Sequence, residues 1–184
     1  KREFGRVDIL VNNAGEYPKV AFLASPFAEW RGAIDTNVIG LAATFQPFIG
    51  PMKRRGSGTL VGVASVASVR GLPGHAGYCA AKGAVVQLCE TLRGELKPHG
   101  VAVVTLAPGY IDTPLTSETD YPMPFLMQPA AFAEQAYAAI SAKVRWRVIP
   151  WQMGVVATVL KFMPRWLFDA VVGAQSHRKK RRRQ

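Results

Sequence analysis

Three short apolar runs, separated by segments with helical periodicity, limit the folds open to this chain. The runs are Val7–Val11, Thr59–Ala64 and Val101–Leu106, and Trp146–Ile149 is a fourth candidate. Continuous β-branched runs are typical of strands buried on both faces, and strands that alternate with helices favour a parallel sheet. The sequence therefore predicts an α/β fold with a doubly wound parallel sheet.

Three helices are expected between these strands. Ser25-Pro26 is a helix start, with Ser as the N-cap and Pro in the first helical position. Pro47 is expected to bend or interrupt that helix. Further helices are predicted from about Tyr78 to Leu96 and from Ala130 to about Ala142.

Polar residues, glycine and proline cluster where the predicted strands end. Asn12 and Gly15 follow the first strand, Ser65 follows the second, and Pro108 and Gly109 follow the third. In open parallel sheets, ligands bind beyond the carboxyl ends of the strands. These residues are therefore expected to surround a binding site.

Tyr78 and Lys82 lie four residues apart on one helix, so their side chains share a face. A tyrosine has an ordinary pKa near ~10, which is high for a base at neutral pH, and a neighbouring ammonium lowers that pKa. The pair makes chemical sense as a tuned proton donor and acceptor, although the same spacing also occurs on ordinary helix surfaces. A hydroxyl at Ser65 could hydrogen-bond the substrate oxygen that Tyr78 protonates.

Asn37 interrupts an otherwise apolar helical segment. Asparagine is a middling helix former. One interpretation is a helix distortion satisfied by local hydrogen bonds. The other is a functional residue.

These residues resemble the ordered motif set of the short-chain dehydrogenase/reductase family. The motifs are Asn12-Asn13-Ala14-Gly15, Asn37, Ser65, Tyr78-x-x-x-Lys82 and Pro108-Gly109-x-x-x-Thr113, and the match covers roughly residues 4–114. Several motifs in register are far more specific than one. The resemblance implies a Rossmann-like fold and an oxidoreductase that uses NAD or NADP to interconvert a carbonyl compound and an alcohol.

The resemblance also implies a role for each motif residue. Tyr78 would be the catalytic acid/base, Lys82 would lower its pKa and bind the nicotinamide ribose, Ser65 would polarise the carbonyl, and Asn37 would hold a water linked to Lys82. The remaining residues would line the cofactor cleft: Asn12, Ala14, Gly15, Pro108, Gly109, Ile111 and Thr113. No metal is expected.

The glycine-rich turn that opens this family and cradles the pyrophosphate is not found in the sequence. Residues 1–150 are therefore expected to be the catalytic part of a Rossmann-like domain whose first three strands are missing. The strand at Val7–Val11 would then form an exposed sheet edge, and the chain by itself should bind dinucleotide poorly. The choice between NAD and NADP depends on the missing part.

Residues 112–128 occupy the place of the family's variable substrate lid. Its apolar side chains suit a lipophilic substrate, and packing of a loop on the core is an equally good explanation. These side chains are Tyr121, Met123, Phe125, Leu126 and Met127.

Residues 151–176 form an apolar extension and 177–184 a basic tail. The tail supplies six of the charges in a formal net charge of +11. Trp151, Val155, Val159, Phe162 and Trp166 are expected near one helix face. That helix could lie on an anionic membrane surface through residues 151–184, or it could pack on the domain or a second subunit.

The cysteine pattern fits a cytoplasmic protein. Cys79 and Cys89 are ten residues apart on one predicted helix, roughly 15 Å at 1.5 Å per residue, which is too far for a disulfide. Self-association is expected from the family resemblance. A specific nucleic-acid partner is not expected, because no aromatic platform accompanies the charge. The competing hypothesis is a non-catalytic Rossmann-like interaction protein that has lost its cofactor.

Overall fold

The computed structural model describes residues 5–17, 24, 26–117 and 122–171. Their strands form one parallel sheet in the order β1-β2-β3-β4. The strands are β1 (Ile9–Asn12), β2 (Gly58–Val63), β3 (Val101–Pro108) and β4 (Trp146–Ile149). The predicted α/β fold with a parallel sheet is confirmed. The predicted limits of β4 match the structure, and those of the other strands differ by at most two residues.

Helices cover both faces of the sheet. They are α1 (Phe27–Ile34), α2 (Gly40–Arg55), α3 (Ala76–Leu96), α4 (Pro114–Ser117), α5 (Pro129–Ser141) and α6 (Trp151–Phe162), with further helical residues at 165–171. On one face Leu60 packs with Phe45 of α2 and Val85 of α3. On the other face Val61 packs with Ile140 of α5. Adjacent residues of β2 thus enter different cores, which explains why the strand is apolar throughout.

Two details of the first helical region differ from expectation. α1 begins at Phe27 and Pro26 precedes it, while Ser25 lies outside the described residues. The predicted interruption at Pro47 is wrong, because α2 continues through both Pro47 and Pro51. Leu41, Phe45 and Met52 of this helix are buried against the sheet. Their packing outweighs the missing backbone donors of the prolines.

Helix α3 packs closely on the centre of the sheet at Gly62. A Cβ atom at this position would lie 2.5 Å from the Sγ atom of Cys89, which is fully buried. Cys79 and Cys89 are both free cysteines, as expected from their spacing. Burial raises the pKa of the Cys89 thiol to about 11.

The first strand lies at the edge of the sheet. Within the described residues β1 pairs only with β2, and Ile9 and Val11 are 47% and 46% exposed. The edge exposure predicted for Val7–Val11 is therefore present in this part of the chain.

Candidate active site

Ser65 lies just beyond the carboxyl end of β2, where the chain turns into a short 3-10 helix (Val66–Ser68). The Ser65 side chain caps this turn, since its Oγ accepts a hydrogen bond from the Ala67 amide at 3.2 Å. Ser68 Oγ donates to the Ser65 carbonyl at 2.6 Å. These bonds hold the half-buried serine at the end of the strand.

Tyr78 and Lys82 lie in the first turns of α3. The Lys82 side chain is buried, and its Nζ donates to the Val63 carbonyl, two residues before Ser65, at 2.9 Å. The same Nζ lies 5.8 Å from the centre of the Tyr78 ring. The predicted proximity of the phenol and the ammonium is therefore present in the structure.

Burial in this position changes the acidity of the lysine. Desolvation lowers the pKa of Lys82 from 10.5 to about 8. The amine is thus mostly protonated at neutral pH, and it carries its charge in a largely dry environment. A cation next to a phenol favours the phenolate.

Asn37 and Gly15 meet Lys82 from the opposite side. If Gly15 carried a Cβ atom, that atom would lie 3.0 Å from Asn37 Oδ1 and 3.1 Å from Lys82 Nζ. A larger residue at position 15 would therefore press on both polar groups, and these would have to shift by a few tenths of an ångström. The loop after β1, the Asn37 amide and the Lys82 amine converge on one point.

The backbone around Asn37 is a π-helical segment (Asp35–Ile39) between α1 and α2. Asn37 Nδ2 donates to the Ala33 carbonyl at 2.9 Å and to the Glu16 carbonyl at 2.8 Å. Its Oδ1 is buried and accepts no hydrogen bond from the described residues. Local hydrogen bonds thus account for the Nδ2 group of Asn37, whereas its Oδ1 atom is left to accept a hydrogen bond from a ligand or water.

The motif residues after β3 lie at the same edge of the sheet, but they contact α6 and the 112–128 segment. The Gly109 amide donates to the Ile149 carbonyl at 2.8 Å at the end of β3, next to Pro108. A Cβ atom at Gly109 would lie 2.7 Å from Met153 Cγ, so α6 approaches the backbone here. Ile111 forms an isolated bridge with Met127, and Thr113 Oγ1 donates to the Ile111 carbonyl at 3.5 Å.

Of the two remaining motif residues, Asn12 is the last residue of β1 and Ala14 lies on the loop that follows it. Asn12 is buried, and its Nδ2 donates to Thr44 Oγ1 of α2 at 3.3 Å. That amide group therefore faces α2. Ala14 is exposed. Contacts thus join Gly15, Asn37, Tyr78 and Lys82 directly, and the other motif residues flank this group at neighbouring strand ends.

Two aromatic residues beside Tyr78 were not predicted from the sequence. The Tyr17 ring packs edge-on against Tyr78, with 4.9 Å between ring centres. The Tyr17 hydroxyl forms a hydrogen bond with His75 Nδ1. His75 precedes Tyr78 by three residues, and Tyr17 follows Gly15 by two. Their nearness to the motifs in the sequence was the signal that could have identified them as site residues.

Arg70 is a third residue that was not predicted. Its Nε donates to the Leu160 carbonyl at 2.8 Å, and an Nη atom donates to the Met163 carbonyl. The guanidinium also lies 5.2 Å from the centre of the Phe168 ring. The loop that follows Ser65 is thereby attached to the C-terminal end of α6.

Within the described residues, no group of three or more His, Cys, Asp or Glu side chains could hold a metal ion. None of the helices found there is both long enough and apolar enough to span a bilayer.

The fold and the site define a class of protein: a parallel α/β domain with a Tyr-Lys pair, a serine and an asparagine at the carboxyl edge of its sheet. The sequence profile of the short chain dehydrogenase family matches residues 1–123. An uncharacterized oxidoreductase of Myxococcus xanthus is 39% identical over 168 residues, which is 91% of this chain and 66% of that protein. The chain belongs to the short-chain dehydrogenase/reductase family.

Solved structures show the same fold. A short chain dehydrogenase from Burkholderia cenocepacia in complex with NADP superposes with a TM-score of 0.81 at 24% identity, over 93% of this chain and 70% of that chain. A 3-oxoacyl-[acyl-carrier protein] reductase from Brucella melitensis with bound NAD gives a TM-score of 0.69 at 30% identity, over 80% and 63%. The chain spans 66% of the length of the Myxococcus protein and 44% of the length of a short-chain reductase from Streptomyces niveus.

Proposed function

We propose that this chain is the catalytic part of an NAD(P)(H)-dependent oxidoreductase that interconverts a ketone or aldehyde and an alcohol. The observation that carries the proposal is the position of the Lys82 ammonium, which is buried, lies 5.8 Å from the centre of the Tyr78 ring and donates to the Val63 carbonyl at the end of β2. Burying a charge costs stability, and titratable groups whose pKa is shifted by burial beside a specific partner cluster at functional sites.

In this proposal Tyr78 is the general acid and base. During reduction its hydroxyl gives a proton to the carbonyl oxygen as that carbon becomes an alcohol carbon, and during oxidation the phenolate takes the proton back. The positive charge of Lys82 stabilises the phenolate. The Ser65 hydroxyl donates to the same substrate oxygen, and Asn37 Oδ1 holds a water next to Lys82 that returns protons from solvent.

The residues present fit the nicotinamide half of NAD or NADP. An unsatisfied buried acceptor at Asn37 and a buried amine at Lys82 face the same point above Gly15, where a hydroxyl-bearing ribose or an ordered water could bond to both. Pro108, Gly109, Ile111 and Thr113 would line the same cleft. When bound, the nicotinamide would supply or accept the hydride.

The sequence contains no glycine-rich turn for the pyrophosphate, and β1 presents an exposed edge. We propose that the missing strands of a complete domain pair with this edge. The 184-residue chain alone should then bind dinucleotide weakly, and the protein that includes the missing part should be active. Self-association of the complete protein is also expected.

We propose a lipophilic substrate. In the part of the 112–128 segment that the structure describes, Phe125 and Leu126 are 49% and 44% exposed. Apolar side chains that remain exposed beside a site favour a substrate-binding role over core packing. Tyr121 lies outside the described residues.

The test is turnover by the complete protein, followed as NAD(P)H consumption with aliphatic ketones of increasing chain length. Tyr78→Phe should lower kcat by a factor of about 100 or more while the affinity for NAD(P)H, measured by calorimetry, changes little. Tyr137→Phe is the matched control, because Tyr137 is 70% exposed on α5. Retention of most activity by Tyr78→Phe would refute the assignment, and absence of any cofactor binding by the complete protein would favour a non-catalytic interaction protein.

A further inference from the structure

Helix α6 has a buried face and an exposed apolar face on opposite sides. Met153 and Ala157 are buried against Val66, in the cluster that covers the 3-10 helix after Ser65. The exposed side consists of one stripe, in which Trp151, Val155, Val159 and Phe162 are 70%, 55%, 55% and 77% exposed. At about 100° per residue these four side chains fall within one narrow arc. We call them the α6 stripe.

The α6 stripe does not extend the domain core. Its aromatic residues sit at the two ends of the helix, and Trp166 in the following helical residues is also 72% exposed. The opposite face already contacts the domain, and Arg70 fixes the end of the helix through the Leu160 and Met163 carbonyls. A helix held this firmly presents its apolar stripe outward as a fixed surface, and contiguous exposed apolar surface marks an interaction site.

The charge around the α6 stripe indicates what covers it. Lys161 and Arg165 are exposed near the C-terminal end of α6, and Asp169 is the one acidic residue described after Trp151. The sequence continues a few residues beyond the last described helical residue into six consecutive basic residues, Arg178 to Arg183. An apolar helix face with aromatic residues and adjacent basic residues matches the surface of an anionic bilayer.

A second copy of the chain is a poorer match for the same surface. In a two-fold dimer the same patch contacts itself, so stripe-to-stripe pairing would match the apolar side chains but would give the basic residues that follow in the sequence no anionic partner. Nucleic acid would match the charge but would leave the valine and phenylalanine side chains without an apolar partner.

We infer that the α6 stripe and the basic residues that follow it dock the protein on anionic membrane surfaces. The helix would lie parallel to the bilayer, with the stripe among the acyl chains and the basic residues at the lipid headgroups. The inference does not depend on the proposed catalytic activity.

The test is co-sedimentation of the complete protein with vesicles of phosphatidylcholine alone or of phosphatidylcholine mixed with phosphatidylglycerol. Binding is expected only with the anionic vesicles and should weaken at high salt. The double variant Trp151→Ser, Phe162→Ser should lower partitioning by about tenfold or more, because two large apolar side chains are removed from the interface. Replacing Arg181 to Arg183 by Gln should weaken it by about fivefold per residue.

Tyr137→Ser is the matched control. Tyr137 is an equally exposed aromatic residue on α5, and its substitution should leave partitioning unchanged. Trp151, Phe162 and Tyr137 are all on the surface, and circular dichroism checks that each variant keeps the helical content of the parent.

Four results would overturn the inference. The first is the absence of binding to anionic vesicles at low salt, and the second is binding that the double variant does not weaken. The third is a dimer, measured by analytical ultracentrifugation, that the double variant converts to a monomer, because the stripe would then belong to a second copy. Binding to duplex DNA that requires the basic residues, without vesicle binding, would assign the tail to nucleic acid instead.

Discussion

Lys82 Nζ donates a 2.9 Å hydrogen bond to the Val63 carbonyl, so the buried amine of α3 is tied to the end of the strand that leads to Ser65. The amine stays close to the Tyr78 ring because this bond fixes it. One bond thus connects the helix that carries the proposed acid/base to the strand that carries the proposed carbonyl-orienting residue.

The buried amine should make stability depend on pH in a defined range. The pKa of Lys82 is lowered from 10.5 to about 8 by burial, so the unfolded state binds the proton more tightly than the folded state. The free-energy cost of burying the charged amine is present in full below pH 8, and it is lost as the pH rises from 8 to 10.5. The free energy of unfolding should therefore gain about 3 kcal/mol over that range from this group alone.

Lys82→Met is the comparison that isolates this effect. Urea unfolding of the parent and the variant should give a difference in unfolding free energy that moves in favour of the parent as the pH increases, because the thioether side chain of the variant does not titrate. Ionisable groups distant from Lys82 titrate equally in both proteins and cancel, and making the comparison in a Tyr78→Phe background removes the one phenol that lies beside the amine. If the unfolding free energies of the parent and the variant changed with pH in parallel, the Lys82 amine would not be desolvated.

Removing the Asn37 side chain should loosen the contact between the loop after β1 and the π-helical segment. Asn37→Ala removes the donors to the Ala33 and Glu16 carbonyls, and we expect a loss of about 1–3 kcal/mol in unfolding free energy. Gln46→Ala, at an exposed position of α2, should change it little. Equal stabilities for the two variants in urea titrations would argue against this bridging role.

Gly62→Ala should destabilise the centre of the fold, since its new methyl group would lie 2.5 Å from Cys89 Sγ. Overpacking of this kind costs about 1–3 kcal/mol. Adding Cys89→Ala should recover part of the loss, which gives a non-additive double-mutant cycle. Gly71→Ala serves as a control because no atom lies within 4 Å of its Cβ position. If the changes in unfolding free energy of the two single variants, measured by chemical denaturation, summed to that of the double variant, residues 62 and 89 would not be in contact.

Arg70→Ala should free the C-terminal end of α6. The variant loses two hydrogen bonds from a charged donor and the contact with the Phe168 ring. Each such hydrogen bond contributes about 1.5–3 kcal/mol to local stability. Limited proteolysis should cut the segment after Phe162 faster in this variant than in Arg147→Ala, which alters an exposed arginine of β4. Hydrogen exchange should rise in the same segment, and unchanged protection there would contradict the role of Arg70.

Local patterns predicted the framework of this protein well. The strands were found because residues such as Val61 and Leu60 face opposite cores, which requires an uninterrupted apolar run. The Tyr78–Lys82 proximity followed from one helical turn of spacing. Both are short-range features that a sequence displays directly.

Features that depend on distant packing were missed. Helix α2 tolerates Pro47 because Phe45 and Met52 pack against the sheet, and local propensity cannot show that. The pairing of Tyr17 with His75 joins residues 58 positions apart. Arg70 bonds to carbonyls 90 and 93 positions away. Such contacts exist only after the chain has folded.

The tight fit between Gly62 and Cys89 also makes Cys89 a reporter of local opening of the fold. The Cys89 sulfur is fully enclosed, and its thiol has a pKa of about 11, so an alkylating reagent can reach a reactive thiolate only when α3 lifts from the sheet. The rate at which Cys89 is labelled under native conditions therefore counts the openings of the helix that carries Tyr78 and Lys82. A single sulfur atom, with no added probe, reports how often the proposed catalytic pair comes apart from its strand.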